Sequence, residues 1–217
     1  AFPLHARLQE YPRTWGEIEE QNIERFGQWQ RASGMSGDKF SSLFTPENTG
    51  YAPIRKRDGI GKTGTFEIRT CDSTPLQYAL GAMALYKGCN DRMLQENITV
   101  EIATQDGEYE FLERKVVLPT LRTLQTLESE AIRYGMTSEL MQKYVGCVVD
   151  FAKKGLNEAE REYLFPIQEM VESGINPSTK VNRFLRRDGY SAKWFTPQRA
   201  AEGNIFLREL YKEGLQD

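Results

Sequence analysis

The chain has 217 residues, enough to bury a core without disulfides or metal clips, and its 39% hydrophobic and 27% charged content separates it from disordered chains. Lys and Arg number 28 against 31 Asp and Glu, a net charge of -3, so no basic field gathers nucleic acid or anionic lipid, and neither is expected as a partner. Cys71, Cys89 and Cys147 are odd in number and lack C-x-x-C spacing, which argues against a disulfide framework or structural zinc and fits a reducing cytoplasm. No segment reaches the roughly 20 apolar residues that cross a bilayer, so no membrane role is expected.

Thr14-Trp15-Gly16-Glu17 reads as a capping box, with the Thr hydroxyl and the Glu carboxylate each accepting from an amide at a helix start. Trp15, Ile18, Phe26 and Trp29 then recur on one stripe, which predicts a helix ending before Gly34. Residues 33–50, rich in glycine and serine, read as a long loop. From Tyr51 the pattern turns extended, with Asp58-Gly59 and Gly61 to Gly64 as turn material between residues 52–57 and 65–72, so a hairpin is expected. Pro75 after Asp72-Ser73-Thr74 starts a helix reaching about Asn97. Its Ala79, Gly81, Ala82, Ala84 and Gly88 permit close approach, and the expected neighbour is the sheet. A second hairpin is read over 98–113 around Asp106-Gly107, since Asp-Gly favours the positive φ of tight turns. Helices are then expected at 119–134, 138–154, 158–173 (capped by Asn157), 177–187 and 197–213, each followed closely by a glycine.

Lys62-Thr63 after Gly61 suggests a phosphate-cradling loop, but the position five residues before Gly61 is Lys56 and the segment leads into a strand, so a Walker A reading fails. Arg55-Lys56-Arg57 is either a solvated hairpin tip or a phosphate contact. His5 is the only histidine and lies in the N-terminal arm, leaving little material for a Ser-His-Asp or Cys-His nucleophile. Cys71 has no nearby histidine and reads as a packed residue, as do Cys89 and Cys147 on their helices. The acidic runs Glu17/Glu19/Glu20 and Glu158/Glu160/Glu162 sit in first helical turns, where they favour the helix dipole. Glu67 and Arg69 are two apart on a strand and therefore share a face, with Cβ atoms about 7 Å apart. They form either a surface salt bridge or a carboxylate and a guanidinium facing one ligand, which suits nucleotide chemistry.

Gly64-Thr65-Phe66-Glu67-Ile68-Arg69-Thr70-Cys71-Asp72, followed by Pro75-Leu76 and an alanine-rich helix, resembles the G-T-[VLF]-E-[VI]-R-x-[CA]-D signature of glutamate-cysteine ligases, the carboxylate-amine ligases of glutathione biosynthesis. Tyr11 to Glu17 resembles the Ser-Trp-x-Glu helix that precedes this strand in the family, and Ile54-Arg55 falls where the family often has Arg-Pro. The resemblance covers most of the chain in layout, but only residues 64–72 are specific.

The resemblance implies an α+β fold: part of a glutamine-synthetase-like antiparallel sheet packed with helices, then a helical C-terminal region. In those terms residues 1–113 are the sheet-and-helix half of a catalytic domain and residues 114–217 the helical region. It also implies ATP and Mg2+ as cofactors, with Glu67 as metal ligand and Arg69 as phosphate clamp. Glu67 and Arg69 are then the catalytic pair, with Arg69 and Arg55 as nucleotide contacts. The carboxylate of glutamate becomes an acyl phosphate and is attacked by an amine such as cysteine.

The family's E-x-E metal-binding strand has no counterpart before residue 51, and the Pro-Ser-Pro-rich hairpin of typical members is missing from 54–64. With Ala1 in place of an initiator Met, the chain is therefore expected to be the C-terminal half of such an enzyme. It would be completed by an N-terminal half or a complementary chain, and would be inactive alone. The rival expectation is a non-enzymatic helical interaction or regulatory domain in which Glu67 and Arg69 are only an ion pair.

Overall fold

The computed structural model describes residues 8–46, 54–57, 65–68, 74–186 and 196–213. The chain divides into two compact units, residues 1–72 and 73–217. The division expected at residue 113 falls inside the second unit.

In the first unit α1 (Trp15–Ser33) begins where the sequence indicates. The Thr14 hydroxyl accepts from the Glu17 amide at 3.2 Å, and the Glu17 carboxylate accepts from the amide of Arg13, one residue before the cap. Gly34 ends the helix at φ 68°, a left-handed conformation that suits glycine. The segment read as loop contains α2 (Gly37–Leu43). Its Phe40 is fully buried, with ring centroids 5.2 Å from Phe26, 5.8 Å from Trp29 and 4.9 Å from Phe44. Poor intrinsic helix formers are held helical here by aromatic packing on α1, a tertiary override of local propensity. The hairpin is present as β1 (Ile54–Arg57) and β2 (Thr65–Ile68), paired antiparallel.

The second unit opens with α3 (Leu76–Gln95), capped by Pro75. Its small residues meet helices rather than the expected sheet. A Cβ at Gly81 would lie 2.7 Å from Ile167 Cγ1, one at Gly88 would collide with the carbonyl oxygen of Ala152, and one at Gly155 with that of Gly88. Ala152 belongs to α5 (Glu139–Lys154), so α3 and α5 cross in direct backbone contact. The sheet that follows is β3 (Thr99–Ile102), β4 (Glu110–Phe111) and β5 (Lys115–Leu118), in the order β3-β5-β4.

The hairpin expected over 98–113 is not formed, because β3 and β4 both pair with β5, in parallel and antiparallel respectively. Two causes are visible. Gly107 does turn, at φ 87°, but its amide donates to Thr123 Oγ1 and Asp106 accepts from Thr120 Oγ1, so the turn is tied to the start of α4 (Leu121–Tyr134). And Lys115-Val116-Val117-Leu118, rich in β-branched residues, takes the centre with Val116 buried.

The helical C-terminal region is present as expected, with one break. Asn157 caps α6 (Glu158–Arg161) in a reciprocal box with Glu160, but Glu162–Leu164 is 3-10 and α7 (Phe165–Ser173) starts afresh. Pro166 has no amide to donate back to Glu162, which accounts for the interruption. The last described elements are α8 (Pro177–Arg186) and α9 (Pro197–Glu213), whose Phe184 and Phe206 rings stack at 4.3 Å. Among the described residues no helix is long and apolar enough to cross a membrane.

Arg92 of α3 sits at the centre of the second unit, 1% exposed. It donates to the carbonyls of Phe151 (3.3 Å), Leu112 (3.3 Å) and Glu113 (3.2 Å) and to the Glu96 carboxylate (3.2 Å), and its guanidinium lies 4.2 Å above the Phe151 ring. Phe151 lies in the last turn of α5, where carbonyls lack helical partners and a cation is favoured. Replacing Arg92 by Met strands those acceptors in the core, and a loss of about 3 kcal/mol is expected in urea unfolding. Gly88→Ala should lose about 2 kcal/mol by overpacking α3 on α5. Gly146→Ala, whose new Cβ meets only Val171 Cγ1 at 3.6 Å, should gain up to about 1 kcal/mol from helix propensity in the same assay.

Candidate functional site

The residues singled out for chemistry divide by position. Arg55 is on β1 and Glu67 on β2, and the register makes them direct cross-strand partners. The spacing within either strand did not indicate this register. Arg69 lies outside the described residues, as do Cys71 and His5. A divalent cation of the Mg2+ type takes near-octahedral oxygen coordination. Glu67 offers one carboxylate, and among the described residues no group of three or more His, Cys, Asp or Glu is placed to hold a metal ion.

The expected roles of the acidic helix starts are met in part. Glu160 accepts from the Asn157 amide and lies 3.0 Å from Lys87 of α3, which also pairs with Asp91. The Lys87 hydrogen bond holds the Glu160 carboxyl below its ordinary range, with the Asn157 amide next in effect. This ties α6 to α3 and is structural.

Cys89 and Cys147, read as packed residues, are half-buried free thiols on α3 and α5. Burial pushes the Cys89 thiol up from 9.0 to about 11, against a smaller lowering by Arg92. The phenol of Tyr144 is likewise raised by burial first, then by Tyr109 and Cys89. Tyr109 packs edge-on against Tyr144 at 5.1 Å, and its hydroxyl, closed off from water, has no hydrogen-bond partner.

The sequence reading passed over the outer face of the small sheet. There a cleft of about 480 Å³ is lined by Glu101, Lys115 and Glu110 from the strands, Glu108 and Tyr109 from the preceding loop, and Lys143 from α5. Only the alternation of charged and apolar residues along β3 and β5 could have signalled it, and that required placing β5 first.

Comparison with known proteins gives no match: no family model, no curated protein and no solved structure matches this chain. The functional reading therefore rests on the residues themselves.

The raised Cys89 thiol has a measurable consequence. In the folded protein Cys89 should resist iodoacetamide at pH 7 to 8 and label only on denaturation, as read by peptide mass mapping, because the thiolate is the nucleophile. A folded value above the unfolded one means the neutral thiol is favoured on folding. The stabilisation is thus complete below pH 9.0 and declines as pH rises toward about 11.

Proposed function

We propose that the chain is the C-terminal portion of an ATP-dependent carboxylate-amine ligase similar to glutamate-cysteine ligases, acting in the cytoplasm. The reading is carried by the segment Gly64 to Asp72, with Glu67 and Arg69 in the E-x-R positions of that family. The antiparallel pairing of β1 and β2 supports it, with Arg55 and Glu67 at opposed register positions. In this reading β1 and β2 belong to a larger glutamine-synthetase-like antiparallel sheet, and the remaining strands come from an N-terminal half or a complementary chain.

The chemistry assigned to this chain is electrostatic. A guanidinium at Arg69, planar and always charged, would hold phosphoryl oxygens as charge spreads during attack of the glutamate carboxylate on ATP, and would then hold the acyl phosphate for the amine. Mg2+ and ATP enter through the resemblance, so no step is routed through the metal.

A non-enzymatic interaction domain is the second reading, favoured by one feature. Leu76, Met83 and Leu94 of α3 are 45%, 64% and 71% exposed and fall on one stripe of the helix. An exposed apolar stripe marks a surface that another element covers, and in the ligase reading the rest of the catalytic domain does so.

Glutamate- and amine-dependent ADP release separates the two. Residues 1–217 alone should release none, while the full polypeptide or the complemented pair should be active. There, Arg69→Ala should lower turnover by a factor on the order of a hundred with the circular dichroism spectrum unchanged. Full turnover in both Arg69→Ala and Glu67→Gln, or turnover by residues 1–217 alone, would overturn the proposal.

A further inference from the structure

The row Glu101, Val117, Glu110 runs across β3, β5 and β4 by register, which puts all three on one face of the sheet. Lys115, two positions before Val117, shares that face because side chains alternate along a strand. The other face is the apolar one: Val116 is buried, and Phe111 packs on Phe151 at 5.6 Å and on Tyr144 at 6.2 Å. Leu140, Lys143 and Cys147 form the helical wall of the cleft, spaced to fall on one stripe of α5. Its volume of about 480 Å³ lies within the range of small-molecule sites.

The charges on the walls discriminate between ligand classes. Lys115 is 2.8 Å from Glu101, so those two largely satisfy each other. That leaves Glu108 and Glu110 on one side and Lys143 on the other, and among the described residues none of these three has an ion-pair partner. A polyphosphate meets more carboxylates than ammoniums here, and a purely apolar molecule leaves all of them without a partner. A molecule carrying both a cation and an anion satisfies both signs.

We propose that this cleft binds a small zwitterionic amino acid with an apolar side chain. The ammonium is taken by Glu108 and Glu110, the carboxylate by Lys143, and the side chain lies over Val117 and Leu140. The proposal does not depend on the ligase reading, since it uses none of Arg55, Glu67 and Arg69.

The test is titration of residues 1–217 by calorimetry with L-leucine as probe, beside isopentylamine and 4-methylpentanoate, which each lack one of its charges. Saturable binding of leucine is expected, weaker by roughly tenfold or more for either half-molecule, and reduced by roughly tenfold in Lys143→Met and in Glu110→Gln. Lys143 and Glu110 are exposed, so both variants should melt like the parent protein. The proposal is overturned if leucine shows no saturable binding at roughly ten millimolar, a concentration that saturates even a weak small-molecule site. Isopentylamine binding as tightly as leucine, or binding unaffected by the variants, would overturn it equally.

Discussion

A guanidinium withdrawn from water must be met by acceptors on nearly every donor, because an unpaired buried charge costs more than most single contacts contribute. The second unit is arranged around one such group. Arg92 reaches the last turn of α5 and the chain between β4 and β5, so its hydrogen bonds join a helix end and a strand connection to α3. That reach depends on the absence of side chains where α3 crosses α5. Gly88 and Gly155 let the two backbones touch, which brings the Phe151 carbonyl within range of Nη1. A bulkier residue at either glycine would lengthen those bonds, and loss of the guanidinium would leave the close crossing lined with unmet carbonyls.

The same crossing determines what α3 presents elsewhere. With its small-residue face against α5 and α7, the stripe of Leu76, Met83 and Leu94 is turned outward. The small sheet behaves in parallel fashion: one face feeds Val116 and Phe111 into the core, and the other carries Glu101, Lys115 and Glu110 to the cleft. Each element thus has a committed side and an available one. The available sides differ in chemistry, apolar on α3 and charged on the sheet.

The chemistry read from Gly64 to Asp72 belongs to the first unit, and the cleft to the second. The E-x-R spacing was legible because alternation along a strand is a local rule. The partnership of Arg55 with Glu67 was not, since it depends on hairpin register, which the turn geometry sets and the spacing of either strand does not reveal. The charged row of the cleft was less legible still, because it spans three strands whose order departs from their sequence order.

Local signals in the sequence determined where most helices begin and end: Thr14, Thr120, Ser138 and Asn157 cap them, and Gly34 and Gly174 stop them, because capping is settled by a few neighbouring residues. Tertiary structure decided the rest. Packing of Phe40 made a helix of an apparent loop, and Thr120 and Thr123 held the Asp106-Gly107 turn away from a hairpin. Lys115 to Leu118 entered between β3 and β4, and the small face of α3 met a helix instead of a sheet. These outcomes depend on contacts between residues distant along the chain, whose free energies outweigh local preference and leave no pattern in any short window of sequence.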